Sequence, residues 1–205
     1  MDRKLKKWEL CLMFGLLCAL FSGAWLEREQ TELSGRVIRL HVIANSDSPA
    51  DQALKLAVRD RVLEQAQALY PAGADLDTAR EALEGSLSRL AAAGRQEVEQ
   101  QGYTYPVTAR LVRCHFPTKE YGGFALPAGE YTALRVVIGQ GEGRNWWCVA
   151  FPPLCLGAAS ETVDDAVSAG LFTTDQGALM TRDGEDYVLK FKALELWDEL
   201  KHGIK

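Results

Sequence analysis

Between Gly139 and Cys155 the chain packs three glycines (Gly139, Gly141 and Gly143), adjacent tryptophans (Trp146 and Trp147), adjacent prolines (Pro152 and Pro153) and two cysteines (Cys148 and Cys155) into one short stretch. Few folds accommodate such a run. The glycines end an apolar segment, Glu130 to Ile138, and a second segment follows from Asn145 to Phe151, a pattern that predicts two strands joined by a glycine loop of hairpin type. Side chains alternate along a strand, so Trp146 and Cys148 are expected on one face and Trp147 and Val149 on the other. One tryptophan then belongs to the core and its neighbour lies nearer solvent. Pro152 and Pro153 bring no backbone donors, so the chain must leave the sheet there, and Cys155 can turn back toward Cys148. A bridge between these cysteines would close a short loop around both prolines; two buried free thiols are the alternative. The Gly139-x-Gly-x-Gly143 spacing is no phosphate loop, because it lies between strands and has no helix N-terminus to offer an anion.

The rest of the chain supplies a scaffold. Arg36 to Ala44 alternates well enough to predict a strand with one buried face. Ser48, Pro49 and Asp51 read as an N-cap, a proline at the first helical position and a capping carboxylate. They open a helix from Pro49 to about Tyr70, with Leu54, Val58, Val62, Ala66 and Leu69 on one face. Pro71 to Ala74 breaks the pattern, and Asp77 is the expected cap of a second helix that runs to about Gln101 and stops at Gly102. Tyr103 to Phe116 reads as a strand and Phe116 to Gly129 as a loop. Beyond Cys155, residues 157–184 offer at most a helical turn near Asp164 and an exposed insertion. Residues 186–192 then alternate as a strand, and 193–201 form a short helix. This order implies an α+β fold of two layers, a mostly antiparallel sheet with a helical pair on one face.

Charge and polarity divide the 205 residues unevenly. The formal net charge is −5, but residues 1–9 hold four basic and two acidic side chains, leaving 19 basic against 26 acidic and a net of −7 for the remainder. So acidic a body argues against nucleic acid as a partner. Leu10 to Leu26 is uncharged, and with the basic residues before it reads as an export signal, with Ser22 and Ala24 forming a small-x-small cleavage site. Its seventeen residues also lie at the lower limit for a membrane anchor. The expected organisation is a signal or anchor over 1–26, a tether over 27–35 and one extracytoplasmic domain over 36–205. Cys114, Cys148 and Cys155 fall in the exported part, where disulfides persist.

A search for catalytic constellations yields little. Cys114 and His115 are adjacent, but neighbours on a strand point to opposite faces and cannot act as nucleophile and base. His41, His115 and His202 are scattered, with no metal-ligand spacing. No metal and no cofactor is expected. Asn45, Ser46 and Asp47 end a strand where α/β enzymes keep ligands, yet such residues also cap helices.

Four further blocks accompany the Trp-Trp stretch: Ile38 to Pro49, Ala53 to Asp60, Phe116 to Lys119 with Tyr121 and Gly122, and Leu126 to Tyr131. Together, over roughly residues 36 to 156, they resemble the stage II sporulation protein R family of endospore-forming bacteria. The resemblance implies a signalling protein made in the forespore and exported into the space between forespore and mother-cell membranes. There it would activate a membrane-embedded aspartic protease of the mother cell, which then matures a sigma-factor precursor. Such a ligand is no enzyme, and its contact with the membrane is confined to its N-terminal segment. Aromatic and proline side chains on a stapled loop suit partner binding. The candidate contact residues are therefore Trp146, Trp147, Phe151, Pro152, Pro153 and Leu154, with Phe116, Lys119 and Tyr121. The rival readings are a secreted cell-wall hydrolase built on His41, Asn45, Asp47 and Lys119, and a membrane-anchored structural protein.

Overall fold

The computed structural model describes residues 7–121, 124–155, 166–168, 170–173 and 177. In chain order the elements are α1 (Lys7–Ser34), β1 (Ile38–Ile43), α2 (Pro49–Gln67), α3 (Leu76–Glu84), α4 (Leu87–Gln100), β2 (Val107–Phe116), β3 (Lys119–Tyr121), β4 (Phe124–Leu126), β5 (Gly129–Ile138) and β6 (Asn145–Phe151). Four strands form one sheet in the order β2-β5-β1-β6, while β3 and β4 pair separately as a short antiparallel ribbon. Within the large sheet β1 runs parallel to β5, whereas the β1–β6 and β2–β5 pairs are antiparallel. The fold is α+β with a mostly antiparallel sheet, as the element order implied.

One face of the sheet carries α2, α3 and α4. α2 buries Leu54, Val58, Val62 and Ala66, and α4 buries Leu90, Gly94 and Val98, against Leu40, Val42, Leu134, Val136 and Val107. Gly94 permits the close approach, since a Cβ there would come within 3.0 Å of Val107 and 3.3 Å of Val58. The opposite face has a core of its own: Val37, Phe116, Tyr131, Ala133 and Val149, covered by Leu33, Phe124, Leu126, Leu154, Ala166 and Phe172. β1, expected to bury one face, buries all six residues because it is covered on both.

Several expectations need correction. The second helix is two helices. Gly85 ends α3 by donating to the Glu81 carbonyl, and Ser86 starts α4 by accepting from the Leu90 amide. The cap of α3 is Asp75, whose carboxylate accepts from the Thr78 amide at 2.9 Å, and not Asp77. The stretch from Phe116 to Gly129 is not all loop, for it contains the β3–β4 ribbon. Residues 27–34, within the stretch read as a tether, are helical and continue α1, and Leu33 is fully buried. The strand expected at 186–192 and the helix at 193–201 lie outside the described residues. α1 leaves Trp8, Leu12, Phe14, Leu16 and Phe21 exposed. Among the described residues no helix is long and apolar enough to cross a membrane.

The glycine loop is not a hairpin. β5 and β6 both pair with β1, so Gly139 to Arg144 must arch over the end of the strand between them. There it locks onto the turn after β1. The Gln140 amide donates to Asn45 Oδ1, the Glu142 amide to the Asn45 carbonyl, the Gly143 amide to the Ala44 carbonyl and the Arg144 amide to Asp47 Oδ1. Gly139 and Gly141 have positive φ (59° and 69°), where glycine alone is unstrained. A Cβ on Gly143 would strike the Ser46 carbonyl oxygen. We therefore expect Gly143→Ala to destabilise the fold by about 1–3 kcal/mol through this backbone collision, measured as a lower urea midpoint at unchanged m-value.

Candidate functional site

Two polar or aromatic clusters flank the end of β1, one beneath the crossover loop and one on the sheet face away from the helices. In the first, Ser48 caps α2 by accepting from the Asp51 amide at 3.1 Å. The Asp51 carboxylate, however, does not return to the Ser48 amide as a capping box would require. It accepts from Ser46 Oγ at 2.5 Å and from Asn45 Nδ2 at 2.9 Å, and these bonds hold its pKa below the ordinary carboxylate value. Lys55, also buried, donates to Gln52 Oε1 at 2.7 Å and to the Arg144 carbonyl at 2.9 Å. Burial lowers its pKa, and the nearby Asp47 charge opposes that shift. Lys55 thus ties the crossover loop to α2, and Asp51 ties the turn after β1 to the same helix.

The second cluster is built on β6. Alternation along the strand places its two tryptophans on opposite faces, as expected, but both are half-buried. Trp146 packs on the helix side, with the Arg59 guanidinium 4.3 Å from its ring centre. Trp147 stacks on the His41 ring at 3.8 Å and meets Phe116 edge-on at 4.6 Å. Beyond β6 the Cys148–Cys155 disulfide forms, with 5.6 Å between the Cα atoms. It staples a loop in which Phe151, Pro152 and Leu154 are buried and Pro153 is exposed. Phe116 is fully buried, and Tyr121 and Lys119 are half-buried on β3. Of the nine candidate contact residues, then, Phe116, Phe151, Pro152 and Leu154 are committed to the chain's own core. Trp147, Tyr121, Lys119 and Pro153 retain surface beside the second face, and Trp146 retains some beside α2.

Beneath Trp147 lies a residue to which the sequence pattern gives no role. Arg39 is fully buried, its guanidinium carbon 4.4 Å from the ring centre of Phe116 and 4.9 Å from that of Tyr131. Its Nε donates to the Cys148 carbonyl at 3.2 Å and its Nη2 to Tyr121 Oη at 2.7 Å, while Tyr121 Oη donates to the Trp147 carbonyl at 3.2 Å. Nη1 has no hydrogen-bond partner. Among the described residues no carboxylate pairs with Arg39. The available signal was parity: with Leu40 and Val42 on the helix side, Arg39 and His41 must share the other.

The four residues of the hydrolase reading have separate partners. Asn45 and Asp47 bond the crossover loop, Lys119 stands opposite Leu126 in the ribbon, and His41 Nε2 lies 2.9 Å from Asn145 Oδ1. Cys114 lies beside the second core while His115 is exposed on the other face, 3.9 Å from Glu130. Burial raises the Cys114 pKa, which keeps the thiol protonated and a poor nucleophile. Among the described residues no group of three or more His, Cys, Asp or Glu is placed to hold a metal.

His41 couples this cluster to pH. Burial lowers its pKa below 6.5, the Asn145 hydrogen bond opposes the shift, and the Arg135 charge adds to it. The folded chain thus binds fewer protons than the unfolded chain between that lowered value and 6.5. The stability contributed by neutral His41 is complete above 6.5 and lost as pH falls through this window. Urea unfolding from about pH 7 to about pH 5 should show wild type losing stability and His41→Gln losing less. Reducing the disulfide, or replacing both cysteines by serine, should cost about 2.5 kcal/mol on the chain-entropy model, read as a lower melting temperature.

Comparison with known proteins places these features in a lineage. A family model described as stage II sporulation protein R matches residues 34–161. "Stage II sporulation protein R" of Bacillus subtilis (strain 168) is 36% identical over 129 residues, a match covering 63% of this chain and spanning 58% of that relative's length. No solved structure matches. The matched segment holds both strand systems, the three helices that follow β1, the crossover loop, the Arg39 cluster and the stapled knuckle. With well over half its residues matched, this chain belongs to the stage II sporulation protein R family.

Proposed function

We propose that the chain is an exported signalling ligand of sporulation. It is delivered into the space between forespore and mother-cell membranes and activates a membrane-embedded aspartic protease of the mother cell, which then processes a sigma-factor precursor. Family membership supports the sporulation role. The observation that carries the ligand reading is the Trp147 knuckle: a half-exposed tryptophan locked from below by His41 and Phe116 and held in place by a staple. A side chain fixed before docking loses little entropy on docking. Export is supported by the same staple, which persists outside the cytoplasm, and by the exposed apolar side chains of α1, which suit an export signal and not a water-facing helix.

An effector of this kind acts by binding the active form of its receptor more tightly than the inactive form. It needs a shaped surface and no catalytic set. The name of the Bacillus relative is that of a sporulation protein and not of an enzyme, which also favours this reading over a wall hydrolase.

The deciding experiment adds the purified full-length chain to membranes bearing the receptor protease and its precursor. Precursor cleavage should require both chain and receptor, and the chain alone should not convert wall material. Trp147→Ala, confirmed folded by circular dichroism, should reduce triggering at least about tenfold, as loss of an interface anchor does. Wall turnover without the receptor would replace the ligand reading with the hydrolase one.

A further inference from the structure

Among the described residues the aromatic cover of the second sheet face stops part-way across it. Just beyond its edge, one row of side chains crosses all four strands in register: Arg110 of β2 opposite Arg135 of β5, Arg135 beside His41 of β1, and His41 opposite Trp147 of β6. Alternation puts all four on the face away from the helices, because their sequence neighbours Ala109, Leu111, Leu134, Val136, Leu40, Val42, Trp146 and Cys148 belong to the helix-side core. Arg110 and Arg135 are exposed and Trp147 is half-buried.

The charges in this row are unbalanced. Directly opposed like charges on neighbouring strands repel, and Arg39, one row further on, adds a third cation beneath them with Nη1 unpartnered. Among the described residues no carboxylate pairs with Arg110, Arg135 or Arg39. The nearest acid along β5, Glu130, lies opposite His115 on the other face. In a chain of net charge −5, three arginines without acids mark a local positive field on an acidic body.

We propose that this row binds an extended acidic segment of a partner protein, its carboxylates received by Arg110 and Arg135 and an apolar side chain laid on the Trp147–His41 plate. Guanidinium groups present planar forks that donate to a carboxylate two bonds at a time, and a cross-strand pair holds two forks at fixed spacing. A lipid surface fits less well, since recognition of anionic headgroups takes clusters of about four to eight basic residues. The inference gives the receptor contact of the proposed function a chemistry, and it rests on that function only for the partner's identity.

The test uses the full-length chain and, as probe, a fluorescent synthetic peptide alternating Glu with Val, with its Gln and Lys counterparts as controls. Fluorescence polarisation at low salt should show the wild-type chain binding the Glu peptide at least about tenfold more tightly than the Gln peptide. The exposed double variant Arg110→Glu/Arg135→Glu should keep the wild-type melting temperature, lose that preference and favour the Lys peptide instead. Retention of the Glu preference by this variant overturns the proposal, as does its absence in wild type. Arginine-dependent binding to vesicles containing phosphatidylglycerol, without any Glu-peptide preference, assigns the row to a membrane and also overturns it. The peptide assay contains no receptor, so its outcome is separate from precursor cleavage. A variant that loses the peptide yet still triggers cleavage removes this row as the receptor contact.

Discussion

β1 must be covered on both faces, and the architecture follows from that. Its even-numbered residues, Ile38, Leu40 and Val42, need an apolar layer, which α2 and α4 provide through an amphipathic stripe. Its odd-numbered residues, Arg39 and His41, cannot be sealed with aliphatic groups alone. A buried guanidinium requires hydrogen-bond acceptors and tolerates aromatic faces. The second layer is accordingly aromatic, with Phe116 and Tyr131 against the guanidinium, the Tyr121 hydroxyl and Cys148 carbonyl accepting from it, and Trp147 closing over His41. The β3–β4 ribbon has its place here because it brings Tyr121 and Phe124 to that layer.

Arg39 also explains why the Trp-Trp stretch is a knuckle and not simply a strand. The Cys148 carbonyl that accepts from Arg39 belongs to the residue that bridges Cys155, and the Trp147 carbonyl accepts from the tyrosine that solvates Arg39. Pulling on the knuckle therefore disturbs the acceptors of a buried cation. Cys148 is thus held twice, by the staple through its side chain and by the guanidinium through its carbonyl.

Local pattern carried most of the secondary structure. The Ser48 and Pro49 signal placed the start of α2 to the residue, and the alternation of β5 and β6 placed both strands. What it could not carry was pairing. Gly139 to Gly143 has the composition of a hairpin turn, and only the insertion of β1 between β5 and β6 makes it an arch. The break at Gly85 and Ser86 was hidden because both helices keep the same apolar face, Leu83 before it and Leu90 after it. Within the candidate site the rings were legible as residue types but not as buried or open. Phe116, Phe151 and Leu154 pack inward for a reason no local window shows, the need to enclose both faces of a strand roughly a hundred residues away in sequence.

The position of β1 as first strand in the chain and third across the sheet has a consequence for how such a molecule comes into being. Its partners are β5 and β6, and the partner of β2 is also β5. A chain still emerging from a ribosome or a translocation channel has no large sheet at all until β5 arrives, and β1 lacks its second neighbour until β6 does. Contacts so distant in sequence close slowly, so α2 and α4, which pack on each other, receive their sheet cover late. Among the described elements the large sheet is complete only when the glycine arch has carried the chain across to β6.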